Sequence, residues 1–298
     1  VYVDKDSRYS DYENATIEIS GGSFSDDACC DYLANGSGAV KEDELYTVQD
    51  AQEYTDYNSL SKATSSTTNT NPILVNTPIE ASYLKVYPNN TIVFGRNGSF
   101  SCNYNNSGAA LDITKQSGVV NICGNGQISR NRQSSTMTGS DYAINVNGTN
   151  SYAAGITVNI YGNLSIDGGS GSTVNRAINI TNGIVNIYGG YFYAGLGSDP
   201  TQKVSVIYLG DTLNKGKNYL NIYDGVFECE GDASALIACT DNKSYLSRCS
   251  VKIIGGIFVG YNPDGHVDGN NNNYVPEGYE SVEITYNGKQ AWKVSKKR

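Results

Sequence analysis

The chain reads as an all-β protein, a right-handed parallel β-helix, on three observations: a short phrase that recurs, an alternating phrase upstream of it, and a glycine–apolar step after it. The recurring phrase is VNICG within 119–124, VNIYG at 158–162 and 185–189, LNIYD at 220–224 and VKIIG at 251–255. From Cys123 to Tyr161, Tyr188, Tyr223 and Ile254 the steps are 38, 27, 35 and 31 residues, a period that marks a stacked solenoid. Each copy alternates apolar and polar with period two, the signature of a strand. The upstream runs Ala143–Val146, Ala177–Ile180, Val206–Leu209 and Ala235–Ala238 alternate in the same way. Ile178, Ile180, Val185 and Ile187 are then expected inside, and Asn179, Asn186 and Tyr188 outside. After the corner glycines come Ile128, Ile166, Phe192, Phe227 and Phe258. Glycine and asparagine supply the positive φ values that such corners need.

Taken in order, the first segment already carries the phrase, as ATIEISGGSF at 15–24. Residues 25–48 then resemble the chain's own end: both run from GGxF through a polar loop to a tyrosine-led turn and a hairpin. An open solenoid end exposes unpaired edges and needs a cover, so each copy is read as a cap. This gives a terminal coil and cap of a preceding module at 1–48 and a lead-in helix and linker at 49–82. The main helix follows at 83–298, with its own cap at about 259–298. The helical stretch is expected over Val48–Ala63, capped by Asp50 or Gln49, and Thr64–Asn71 reads as a loop. Strands resume at Tyr83–Val86, and Thr91–Gly95 with Phe100 makes the first full coil.

Composition narrows the function. The 298 residues include 33 glycines and 39% hydrophobic residues, which suits a thin solenoid core. A net charge of −9 argues against nucleic acid as a partner. Charge is uneven: residues 1–56 hold 14 acidic and 3 basic side chains, while Lys289, Lys293, Lys296, Lys297 and Arg298 crowd the end. That polarity favours head-to-tail self-association, with solubility as the simpler explanation. No apolar run is long enough to span a bilayer. A chain opening on Val1 with no visible signal peptide reads as a mature or excised fragment. Seven cysteines point to an extracellular, partly oxidised protein. Cys239 and Cys249 bracket a short loop and are disulfide candidates. Cys29–Cys30 would pair with each other only under strain, so separate partners, or one bond to a neighbouring subunit, are expected. Asn-x-Ser/Thr sites fall at Asn14, Asn35, Asn89, Asn97, Asn105, Asn147, Asn163, Asn179 and Asn242, several of them at expected corners.

The joint occurrence of GGxF coils, the turn Tyr274–Tyr279 and a terminal hairpin resembles the pectin-lyase-like right-handed β-helix repeats of large secreted and cell-surface proteins from gut-type bacteria. The resemblance covers 14–48 and about 83–298. It implies a surface-displayed, adhesin-like or architectural module, and it supplies no catalytic residues. The scaffold also carries polysaccharide lyases and glycoside hydrolases, and fold alone does not choose among them.

The search for an active site yields little. The aspartates and the GHG and RIK phrases of galacturonan hydrolases are missing. The densest acidic group is Asp224, Glu228, Glu230 and Asp232, read as a solvated loop. His266, the single histidine, reads as a surface residue. Asp264 and Asp268 open a calcium-like loop whose twelfth position is Val275 instead of glutamate, so calcium is the one cofactor the sequence raises. The outward rows stand out more. Tyr161, Tyr188 and Tyr223, with Phe94 before them, should stack beside Asn159, Asn186 and Asn221, with Asn121 extending the amide row. Such ladders stabilise the solenoid and also form an aromatic, amide-rich face suited to sugars or to another protein. The sequence thus leads to a non-catalytic extracellular module, structural or adhesive, with a glycan or a host surface protein as partner. The alternatives are a polysaccharide lyase or hydrolase and a phage fibre or tailspike.

Overall fold

In the computed structural model the described residues are 17–34, 36–42, 45–69, 71–103, 108–115, 117–131, 139–148, 155–172, 174–197, 204–211 and 216–298. The expected coil at 14–24 is therefore seen from Ile17 onward, and Asn14, Asn35 and Asn105 lie outside the described residues. The architecture is a parallel β-helix whose coils each visit three faces in turn.

The first face stacks Ile73–Val75, Asn90–Phe94, Gly118–Gly124, Ile156–Gly162, the second half of Val174–Ile187, Asn218–Ile222 and Cys249–Ile253. The second holds Pro78–Ala81, Ser99–Cys102, Gln127–Arg130, Ser165–Asp167, Tyr191–Ala194, Val226–Cys229 and Ile257–Val259. The third holds Leu84–Val86, Gly108–Lys115, Ser140–Gly148, the first half of Val174–Ile187, Ile207–Leu209 and Ile237–Cys239.

Register explains why the repeat phrase exists. Ile73, Ile92, Ile122, Ile160, Ile187, Ile222 and Ile253 are paired one above the next in parallel register. All seven are buried, and each is worth about 1.5–3 kcal/mol of transfer free energy. On the second face Phe192, Phe227 and Phe258 form an internal stack with centroids 4.9 and 5.0 Å apart. Glycine at the corner before each inward residue is enforced sterically. Gly124 has φ +111°, and a Cβ there would lie 2.1 Å from the Phe94 carbonyl oxygen.

The lead-in helix is shorter and later than expected. Helix α1 is Tyr57–Thr64, capped by Asp56, whose carboxylate accepts from Ser59 N at 3.0 Å. Neither Gln49 nor Asp50 caps it, because Leu45–Asp50 is a strand committed to the N-terminal sheet. Leu60, Ala63 and Thr64 are buried, and α1 sits against the strands of the first coil. The linker is pinned by buried Asn90, whose amide nitrogen reaches the Thr64, Ser66 and Tyr87 carbonyls.

The final unit is a hairpin, Tyr279–Tyr286 with Lys289–Lys296, added antiparallel to the second face through Ile257–Val259. Its two-residue loop is Asn287-Gly288, both at positive φ (48° and 76°), as a primed hairpin turn requires.

The N-terminal unit repeats this bond for bond. Its order, Gly22–Phe24 beside Leu45–Asp50 beside Ser37–Glu42, reproduces the strand order of the terminal cap. Phe24 pairs with Tyr46 and Tyr46 with Lys41; in the other cap Phe258 pairs with Trp292 and Trp292 with Glu283. Ile19 N donates to Tyr32 O as Ile253 N donates to Tyr274 O. Ser37 N to Ala34 O matches Tyr279 N to Pro276 O, and Ala51 N to Gly36 O matches Lys297 N to Gly278 O. The surroundings differ, however. In the C-terminal cap Ile253, Phe258 and Val294 close the helix's own core. In the N-terminal one Ile19, Ala39, Tyr46 and Val48 pack onto the outside of the first face, against Leu74, Val93, Cys123 and Tyr161.

Candidate binding face

The outer side of the first face carries the expected rows, with two corrections. Tyr161 does not face solvent: it is 0% exposed, with its hydroxyl donating to Ala39 O at 2.9 Å and its ring edge-on to Tyr46 at 5.1 Å. The N-terminal cap lies over it, which no spacing within the repeat could foretell. Phe94 is not in the row either. Val93 pairs with Cys123, and Phe94 pairs with Gly124 and points into the main core.

What remains open is the pair Tyr188 and Tyr223. Their rings stack with centroids 4.6 Å apart and planes 7° apart, and Tyr223 is exposed. The Lys41 ammonium, brought by the N-terminal hairpin, lies 4.8 Å from the Tyr188 centroid and 4.2 Å from that of Tyr46.

Beside the rings runs a continuous amide ladder. Asn221 Nδ2 donates to Asn186 Oδ1, Asn186 Nδ2 to Asn159 Oδ1, Asn159 Nδ2 to Asn121 Oδ1 and Asn121 Nδ2 to Thr91 Oγ1, at 2.9–3.3 Å. The bond direction is uniform, so each internal amide spends one N–H and its carbonyl on its neighbours. The second N–H of each is left for solvent or ligand. Asn121 and Asn159 are buried while Asn186 and Asn221 are part-exposed, so the accessible part coincides with the tyrosine pair. The next rung replaces asparagine by exposed Lys252.

A second ladder on the third face was not recognised as such in the sequence. Asn179 Nδ2 donates to Asn145 Oδ1 and Asn145 Nδ2 to Asp112 Oδ1, both at 2.9 Å. Arg176 closes it, with Nη1 3.0 Å from Asn179 Oδ1 and its guanidinium 3.7 Å from the Tyr208 centroid. The signal was the shared asparagine of the two AIN phrases. Asn179 is buried in this ladder and so is not presented for glycosylation, whereas Asn89, Asn97, Asn147, Asn163 and Asn242 are exposed.

The acidic side chains near 224–232 are each engaged locally. Asp224 accepts from Gly225 N, and Asp232 caps the turn at Ala233–Ala235. Glu230 accepts from Leu196 N, while Glu228 pairs with Lys289 and accepts from the Tyr191 hydroxyl. His266 is exposed and lies between Tyr261 and Tyr274. The calcium-like loop is likewise occupied by its own backbone. Asp268 Oδ1 accepts from Asn270 N and Asn272 N, and Asp264 Oδ1 from Gly265 N. Among the described residues no three histidine, cysteine or acidic side chains group as metal ligands. Cys239 and Cys249 are neighbours at the end of one coil, their side chains in contact. Cys239 Sγ lies 3.5 Å from the Tyr274 hydroxyl and Cys249 Sγ 3.8 Å from Leu209 O.

No family model matches the chain, and neither a curated protein nor a solved structure is significantly similar to it. The fold rests on the strand register described above.

Proposed function

We propose that this chain is a non-catalytic, extracellular β-helix module that binds through the outer side of its first face. The observation that carries the reading is the open Tyr188–Tyr223 stack beside the Asn186–Asn221 amides. Sugar rings lie flat on aromatic faces, here the outer face of Tyr223, and amides present both donors and acceptors to hydroxyl groups. A neutral or weakly acidic glycan is the ligand class this chemistry suits, with Lys41 and Lys252 supplying positive charge. The engaged state of Glu228, Glu230, Asp224 and Asp232 supports a passive role over a hydrolytic one. The duplicated cap supports the reading of residues 1–48 as the end of one module and 83–298 as the next, in a longer, surface-displayed series. The acidic composition of the first unit and the basic last strand favour association between such modules.

Glycan-array binding of the purified chain tests the proposal, with Tyr223→Ala and Asn221→Ala as comparators. Binding that both variants weaken supports it. Binding unaffected by either, or release of reducing ends or unsaturated products from pectins or mucins, would overturn it. Light scattering across salt and concentration tests assembly separately; monomers throughout would remove that part.

A further inference from the structure

The N-terminal cap is attached to the helix by side chains and one short chain crossing. Among the described residues, none of its three strands pairs with any of the helix faces. Among the described residues this unit is small and has little apolar surface to hold it in place. The sequence nevertheless makes room for it. Gly38 stands where the C-terminal cap has Glu280, both lying one residue before the partners of Val48 and Val294. A Cβ on Gly38 would lie 2.7 Å from Val93 Cγ2 and 2.8 Å from Pro72 Cβ.

At the centre of this contact are cysteines. Cys30 is 1% exposed and Cys123 0%. The Cys30 thiol rests against those of Cys123 and Cys29, the latter at 3.9 Å. Cys30 sits over the paired Gly124 and Gly162, its Cβ 3.1 Å from where a Cβ on Gly162 would fall. Cys123 holds the outward position that Val93 and Tyr161 hold on the adjoining rungs, so the small thiol comes on a rung that Cys30 covers.

We propose that Cys30 and Cys123 form a disulfide that staples the N-terminal cap to the side of the helix. The two thiols lose two protons and two electrons. Oxidised glutathione, the oxidant, accepts them and leaves as two thiols, by way of a mixed disulfide. Thiol contacts with Cys123 and Cys29, and then burial, raise the pKa of Cys30 far above its ordinary value, so the closed structure holds no ready thiolate there. Cys29 competes for Cys30 only through a strained vicinal bond. The staple closes a loop of about ninety residues, long enough for a large effect on the unfolded chain.

The test is refolding from urea with oxidised and reduced glutathione, then alkylation and peptide mapping of wild type and Cys29→Ser. A Cys30–Cys123 linked peptide is expected in both. Protease release of the N-terminal cap from oxidised wild type should be about tenfold slower than from the same protein reduced. A Cys29–Cys30 peptide as the main product, or Cys30 and Cys123 both alkylated in protein that has regained its structure, would overturn the proposal. Equal release rates would do the same, and that comparison needs no variant to fold.

Discussion

Gly38 and Val93 meet at a distance that leaves no room for a side chain on the first: a Cβ on Gly38 would fall 2.7 Å from Val93 Cγ2. The contact joins two units that share no strand pairing, so it reports on the junction alone. Gly38→Val should push the N-terminal cap off the flank at a cost of about 1–3 kcal/mol, while the helix keeps its fold. Limited proteolysis should cut between the cap and α1 in the variant first, with far-ultraviolet circular dichroism nearly unchanged. Loss of the whole β signal would mean instead that the cap is part of the folding core.

The same tyrosine position on successive rungs should give very different mutational costs. Tyr161 is fully buried and hydrogen-bonded to Ala39 O. Tyr161→Ala should cost about 3–5 kcal/mol, as for other large aromatics lost from a core. Tyr223 stacks only on Tyr188 and faces solvent. Tyr223→Ala should cost about 0.5–1.5 kcal/mol, the worth of one aromatic pair. Urea unfolding of the two variants side by side measures the difference, and equal costs would contradict the burial pattern.

Within the amide ladder, substitution at one rung affects two neighbours. Asn186→Ala leaves Asn221 Nδ2 without its acceptor and Asn159 Oδ1 without its donor. Asn159 is buried, so its orphaned carbonyl carries most of the penalty, about 1–3 kcal/mol. Asn221→Ala, at the exposed end, orphans only the part-exposed Asn186 carbonyl and should cost less. A thermal-melt series along 159, 186 and 221 should therefore show costs falling toward Asn221.

Most of the helix was legible because its physics is local and periodic. Ile160, Ile187 and Ile222 repeat their phrase since each must fill the same slot in a parallel stack, and Gly124, Gly162, Gly190, Gly225 and Gly256 repeat since the backbone there takes positive φ. The asparagine rows followed from the same alternation. The fate of Tyr161 was not legible, because it depends on a partner more than a hundred residues earlier in the chain, held by contacts with no period. The start of α1 was misplaced for a related reason. Val48–Asp50 carries no strong local preference, and its pairing with Ser37–Ala39 decided the matter. The backbone N–H bonds accepted by Asp264 and Asp268 were not legible either, because ligand spacing alone does not count them.

Asp167 offers a pH signature with a defined sign. It lies on the outer side of the second face, paired in register with Tyr193, and burial raises its pKa above the ordinary carboxylate value of 3.8, partly offset by a bond from Gly169 N at 2.7 Å. In the unfolded chain the carboxyl ionises at its ordinary value, so between the two pKa values the folded state binds more protons. Stability contributed by this group then falls as pH rises through that window, and stays lowered above it. Asp167→Asn keeps an acceptor for Gly169 N and removes the ionisation. The variant should melt at a higher temperature than wild type at neutral pH, and the gap should close as pH drops below about 4. A gap that is constant with pH would show that the asparagine acts through packing, and one that widens in acid would reverse the sign assigned to the buried carboxyl.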